Sequence, residues 1–85
     1  MNDKAFVMDV ADRLGFAFMI RDMNLKQICA IVLNFTHGRV PSSPEQLRAE
    51  LESSYASLIV DVTGKLSTDD EVRLLRILKR YAKLN

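Results

Sequence analysis

Apolar residues recur along this chain at spacings of three and four, the period of helices that bury one face. The first segment, about Asp3 to Leu14, places Phe6, Val7, Val10, Ala11 and Leu14 on one side and Asp9, Asp12 and Arg13 on the other, with Asp3 placed to cap it. Gly15 interrupts the stripe. Phe16, Phe18, Met19, Ile20 and Met23 do not continue its face, so either the helix breaks at Gly15 or it goes on with apolar groups all round, which must then be covered on every side.

A second helix starts at Asn24, a favourable N-cap residue, and carries Leu25, Ile28, Cys29, Ile31, Val32 and Phe35 on a broad apolar face. Gly38 marks its end as a left-handed C′ residue, and residues 38–42 read as a loop. The third helix has the clearest start in the chain: Ser43 as cap, Pro44 as first helical residue and Glu45 in the first turn. Leu47, Leu51, Tyr55, Leu58, Ile59, Val62 and Leu66 keep to one side for about six turns, with a 4-3-4 rhythm through Val62 like a short coiled-coil seam. Gly64 makes its end ambiguous. The fourth helix follows Ser67 or Thr68, with a capping-box pattern of Thr68 and Glu71, and its apolar face is Leu74, Leu75, Ile77, Leu78, Tyr81 and Leu84. No β-hairpin signal and no internal repeat is found. The expectation is one all-α domain over residues 1–85, a compact bundle of four short helices, or five if Gly15 splits the first, with the third helix as its central element.

Composition narrows the class. With 85 residues and 48% apolar content the chain can bury a core, and small domains often gain stability from a second copy, so a homodimer is expected. Cys29 is the lone cysteine, which excludes an internal disulfide and suits a reducing compartment. The start carries an acid and no cleavage site follows an apolar run. The longest unbroken apolar run is Ile28 to Leu33, well short of a membrane span. The chain therefore reads as cytoplasmic, with no membrane partner.

Catalytic and metal chemistry lack their residues. Cys29 and His37 are eight positions apart, about 12 Å along a helix, too far for direct proton transfer. Cys29 reads as a small buried apolar residue, and His37 as a helix C-terminal residue favoured by the dipole. A zinc site needs three or four ligands, and only these two nitrogen or sulfur candidates exist. Asp69, Asp70 and Glu71 cluster in the first turn of a helix, where capping and the dipole account for them. No enzyme activity, cofactor or metal is expected.

Two features point to contact with other macromolecules. Residues 72–85 hold Arg73, Arg76, Lys79, Arg80 and Lys83 and no acid, whereas residues 1–71 hold seven bases and eleven acids. On a helical wheel those five bases share an arc of about 120°, opposite the apolar face. Such a stripe suits an acidic protein partner or the phosphates of a nucleic acid, although the dipole and the needs of a soluble surface also explain it. The second feature is the apolar excess of Phe16, Phe18, Met19, Ile20 and Met23, residue types that suit adaptable contact surfaces and here point to self-association. A helix-turn-helix over Asp9 to Ile20 is disfavoured, because its recognition helix would present Ala17, Phe18, Met19 and Ile20 where polar side chains must read base edges.

The stretch from Ile28 to Phe35, then Val40-Pro41-Ser42-Ser43, then Leu47 to Leu58 is similar in rhythm to the N-terminal helical part of the MucR/Ros-type bacterial regulators. The zinc finger of that family is not found here, and the resemblance assigns no functional residue. The leading expectation is a non-catalytic regulatory or adaptor protein acting through protein–protein contact as a homodimer. A small nucleic-acid-binding transcriptional regulator using the basic C-terminal helix is the alternative, and a structural subunit of a larger assembly is a third.

Overall fold

The computed structural model describes residues 2–56 and 64–81, and within them every regular element is helical. In chain order these are α1 (Asp3–Leu14), a single 3-10 turn (Ala17–Met19), α2 (Leu25–Leu33), α3 (Pro44–Ala56) and α4 (Thr68–Tyr81). The radius of gyration, 11.6 Å, matches the value of about 12 Å expected for a compact chain of this length.

Local chemistry explains most of the boundaries. Asn2, rather than Asp3, caps α1, its Oδ1 accepting from the Ala5 N–H at 2.7 Å. Asp3 instead lies within the first turn, where its charge favours the dipole. Gly15 ends α1 in the left-handed region at φ 88°. The Phe16 N–H reaches back to the Ala11 carbonyl at 2.9 Å and the Gly15 N–H to the Asp12 carbonyl at 3.2 Å, the paired bonds of a Schellman termination. The helix therefore breaks at Gly15, and the segment after it holds one 3-10 turn and not a fifth α-helix.

Asn24 and Gln27 form a reciprocal capping box at the start of α2, each side chain satisfying the other's backbone N–H at 2.9 Å. The end of α2 corrects the sequence expectation. Regular helix stops at Leu33, and residues 34–38 continue as turns. Buried Thr36 holds these turns, its hydroxyl lying 3.3 Å from the Leu33 carbonyl and 2.8 Å from that of Arg39. Gly38 closes them at φ 78°, its N–H on the Leu33 carbonyl at 2.8 Å. His37 is thus no helix residue; it is exposed, with φ 58°.

Ser43 caps α3, accepting from the Gln46 N–H at 3.1 Å, and Pro44 opens the helix. Its predicted continuation through Leu58, Ile59 and Val62 lies outside the described residues, as does the side chain of Tyr55. At the start of α4 the capping box sits one residue earlier than expected. Ser67 Oγ accepts from the Asp70 N–H, and the Asp70 carboxylate accepts from the Ser67 N–H, both at 3.1 Å. Glu71 is released from that duty.

The core is one continuous cluster. It takes Phe6, Val7, Val10, Ala11 and Leu14 from α1, Ile28, Cys29, Val32 and Leu33 from α2, Leu47 and Leu51 from α3, and Leu74, Leu75, Ile77 and Leu78 from α4. Phe16 and Ile20 join it from the segment after α1. Among the described residues α4 packs on both α2 and α3, and α2 on both α1 and α4; the third helix, expected to be central, has part of its predicted length outside the described residues. The buried stripe of α4 supplies four large aliphatic side chains to this core, and the described part of α3 supplies two.

Candidate functional site

The segment expected to mediate self-association divides in two. Phe16 is 4% exposed and stacks against Phe35 with ring centroids 5.0 Å apart; Ile20 is fully buried. Both belong to the core, which corrects their assignment to a contact surface. The Schellman turn is the cause, since it redirects the chain so that residue 16 falls back onto the helix it leaves. Met23 is half-buried against the same core. Phe18 and Met19 point the other way, at 71% and 45% exposure. Exposed Arg21 and Asp22 stand close by in sequence, two opposite charges at the rim of a small apolar patch.

The basic stripe of α4 also divides. Arg73 turns toward α1, its guanidinium 4.4 Å from the centroid of the Phe6 ring and 3.9 Å from an Asp3 carboxylate oxygen. It serves the packing of α4 on α1 more than an open stripe. Arg76, Lys79 and Arg80 are exposed. Arg80 lies 5.8 Å from the Tyr81 ring, and among the described residues no carboxylate pairs with any of the three. Lys83 lies outside the described residues. Val72, at 40% exposure, stands inside the basic arc, a feature that a count of charges passes over. A groove of about 300 Å³ runs beside it, lined by Ser42, Pro44, Val72, Leu75, Arg76 and Lys79.

A second cavity, of about 320 Å³, lies between α3 and the start of α4, with Leu14, Leu51 and Leu66 among its walls and the Arg48–Glu71 pair at its edge. Glu71 is 2% exposed, and Arg48 grips it through two bonds, Nε to Oε2 at 2.9 Å and Nη2 to Oε1 at 2.6 Å. This forked pairing raises the Arg48 pKa above its ordinary value, chiefly through the side-chain hydrogen bond. Both Glu71 oxygens are thereby occupied, so the carboxylate is a structural clamp between α3 and α4 and no candidate acid or base. Its position in the first turn concealed this role, since the partner lies 23 residues away in sequence.

Other titratable groups are likewise held. Asp70 sits below the usual carboxylate range, first because the Ser67 backbone N–H bonds it and then because Arg13 lies 2.7 Å away. Burial pushes the Cys29 thiol up to about 11, with a smaller contribution from the Asp3 charge. That environment suits an apolar core residue and opposes thiolate chemistry at neutral pH. Glu50 is buried with one oxygen 4.0 Å from Arg39 and the other, Oε2, without a hydrogen-bond partner among the described residues. Among the described residues no group of three or more His, Cys, Asp or Glu side chains is arranged to hold a metal ion, and no helix is long and apolar enough to cross a membrane.

Two exposed features thus stand out: the Phe18–Met19 pair and the Val72–Arg76–Lys79 face of α4. Compared with known proteins, the chain matches no family model, no curated protein and no solved structure, so the resemblance to MucR/Ros-type regulators carries nothing further.

Proposed function

We propose that this chain is a non-catalytic regulatory or adaptor protein of the cytoplasm that acts through protein–protein contact and self-associates as a homodimer. The observation that supports it is the exposure of Phe18 and Met19 side by side on a turn whose flanking residues, Phe16 and Ile20, are locked in the core. A closed core leaves these side chains no internal role, and phenylalanine and methionine are residue types enriched at interfaces. The neighbouring Arg21 and Asp22 fit a two-fold contact, in which Arg21 of one copy meets Asp22 of the other. Two large side chains make a small patch, so the association is weak and depends on concentration.

Light scattering after size exclusion, over a range of concentrations, tests this. The expected result is a mass that rises toward the dimer with concentration, and a folded monomer throughout for Phe18→Asp. A monomer at every concentration for the unmodified chain would refute the homodimer.

The exposure of Arg76, Lys79 and Arg80 supports a second reading, a nucleic-acid-binding regulator using these three bases on phosphates. Under that reading, nucleic-acid binding weakens steeply with salt and is lost when Arg76 and Arg80 are both reversed to Glu.

A further inference from the structure

We propose that the groove between the start of α3 and the outward face of α4 binds an acidic peptide segment carrying one apolar anchor side chain. The proposal rests on the protein-contact reading and adds a second surface to it. The floor of the groove is apolar: Pro44 from α3, Val72 and the buried Leu75 from α4. Val72 is an aliphatic side chain on the wet face of a helix, 40% exposed and open to the groove. Its partners on that face recur at helical spacing. Leu75, Arg76 and Lys79 stand three, four and seven positions on, so the apolar floor and the two bases form one stripe along α4.

Charge selects the occupant. Arg76 and Lys79 are exposed and have no ion-pair partner among the described residues, whereas the Asp70 carboxylate near the start of α4 is already held by Arg13 and Ser67. The charged side chains that line the groove, Arg76 and Lys79, are both basic. An incoming acidic segment therefore lies with its carboxylates over Arg76 and Lys79 and its anchor over Val72 and Leu75. A nucleic-acid backbone would use the bases but leave the apolar floor without a role, since phosphate contacts need charge and hydrogen bonds alone. The combination of floor and bases favours the peptide.

The test is a titration of the ¹⁵N-labelled full chain followed by NMR. Four probes are compared: a glutamate-rich dodecapeptide with one central Phe, the same peptide with Ser in place of Phe, its lysine-rich counterpart, and oligothymidylate. The Phe peptide is expected to shift the amides of Val72, Leu75, Arg76 and Lys79, with binding about tenfold weaker or worse for the Ser peptide, the loss expected when a buried aromatic anchor is removed. Val72→Asp abolishes the shifts, and Arg76→Glu with Lys79→Glu does so if Val72→Asp disturbs the fold. The proposal is overturned by any of four results: no shifts at these amides up to millimolar Phe peptide, equal binding of the Phe and Ser peptides, equal or tighter binding of the lysine-rich peptide, or tighter binding of oligothymidylate at the same residues. Light scattering on the same variants separates this outcome from that of the homodimer, because the groove substitutions leave Phe18 and Met19 intact.

Discussion

Phe18 and Ile20 are two positions apart, and alanine at each is expected to have opposite consequences. Ile20 is fully buried, so Ile20→Ala removes three heavy atoms from the packed core and leaves a cavity, a change that costs about 2–5 kcal/mol. Phe18 is 71% exposed, so less than a third of its surface is covered. Scaling the roughly 1.5–3 kcal/mol of complete burial by that share leaves about 0.5–0.9 kcal/mol. A domain of this length has a total stability of about 4–13 kcal/mol, so Ile20→Ala takes a large fraction of it and Phe18→Ala a small one. Urea unfolding followed by circular dichroism at a concentration where the chain is monomeric measures both. With a slope of about 1 kcal/mol per molar, the midpoint falls by about 2 M or more for Ile20→Ala and by less than about 1 M for Phe18→Ala. Equal shifts, or a larger one at Phe18, would refute the division of this segment into core and surface. At higher concentration the same pair reads out self-association. The midpoint of the unmodified chain rises with concentration, as it does for any state stabilised by a partner, and that of Phe18→Ala does not.

The clamped groups give three further expected outcomes. Native Cys29, buried and with its thiol pushed up to about 11, reacts with Ellman's reagent at mildly alkaline pH at least a hundredfold more slowly than the urea-unfolded chain. The Asp70 carboxyl titrates in the folded state below its unfolded value of about 3.9. Its stabilisation is therefore present above that pH and lost as pH falls through the folded value, and Asp70→Asn flattens this acid limb in urea midpoints measured across pH. Arg48→Met strands the buried Glu71 carboxylate and lowers the melting temperature, whereas Arg48→Met combined with Glu71→Leu recovers most of the loss, because the second change removes the uncompensated charge.

Features set by neighbours in sequence were legible to within a residue, as the caps of α1 and α4 show, and those set by tertiary partners were not. The Asn24 cap and the Ser43–Pro44 start could be read because a cap and its N–H lie within four residues, although the return bond from Gln27 to Asn24 was not. The stripe of α1 was complete for the same reason: a helix of this length repeats its pattern often enough to define a face. After Gly15 the period is lost, and six apolar residues in eight positions give no phase from which to divide Phe16 and Ile20 from Phe18 and Met19. Only the Schellman bonds, which turn the chain back, decide that. Glu71 shows the other limit. Beside Asp69 and Asp70 it has the composition of a helix first turn, and its forked pairing with Arg48 depends on how α3 docks. Thr36 is similar: its hydroxyl sustains turns after Leu33 that a sequence reading carries on as helix to Gly38.

The two contacts that flank the outward face of α4 bear on its function. Glu71 and Arg73 stand either side of Val72 on the helix, about 100° away in each direction. Arg48 of α3 holds the first, and Asp3 with the Phe6 ring of α1 engages the second. The exposed Arg73–Asp3 pair contributes little to stability, so most of the energy that keeps α4 in place comes from burial of Leu74, Leu75, Ile77 and Leu78. An apolar stripe is tolerant of small rotations about the helix axis, since neighbouring aliphatic groups can exchange places against the core at modest cost. Forked hydrogen bonds are not tolerant in this way, because their strength falls steeply with misalignment. The division of labour is therefore geometric: the aliphatic residues bury α4, and the forked Arg48–Glu71 pairing on one flank opposes rotations that would turn Val72, Arg76 and Lys79 away from their present direction.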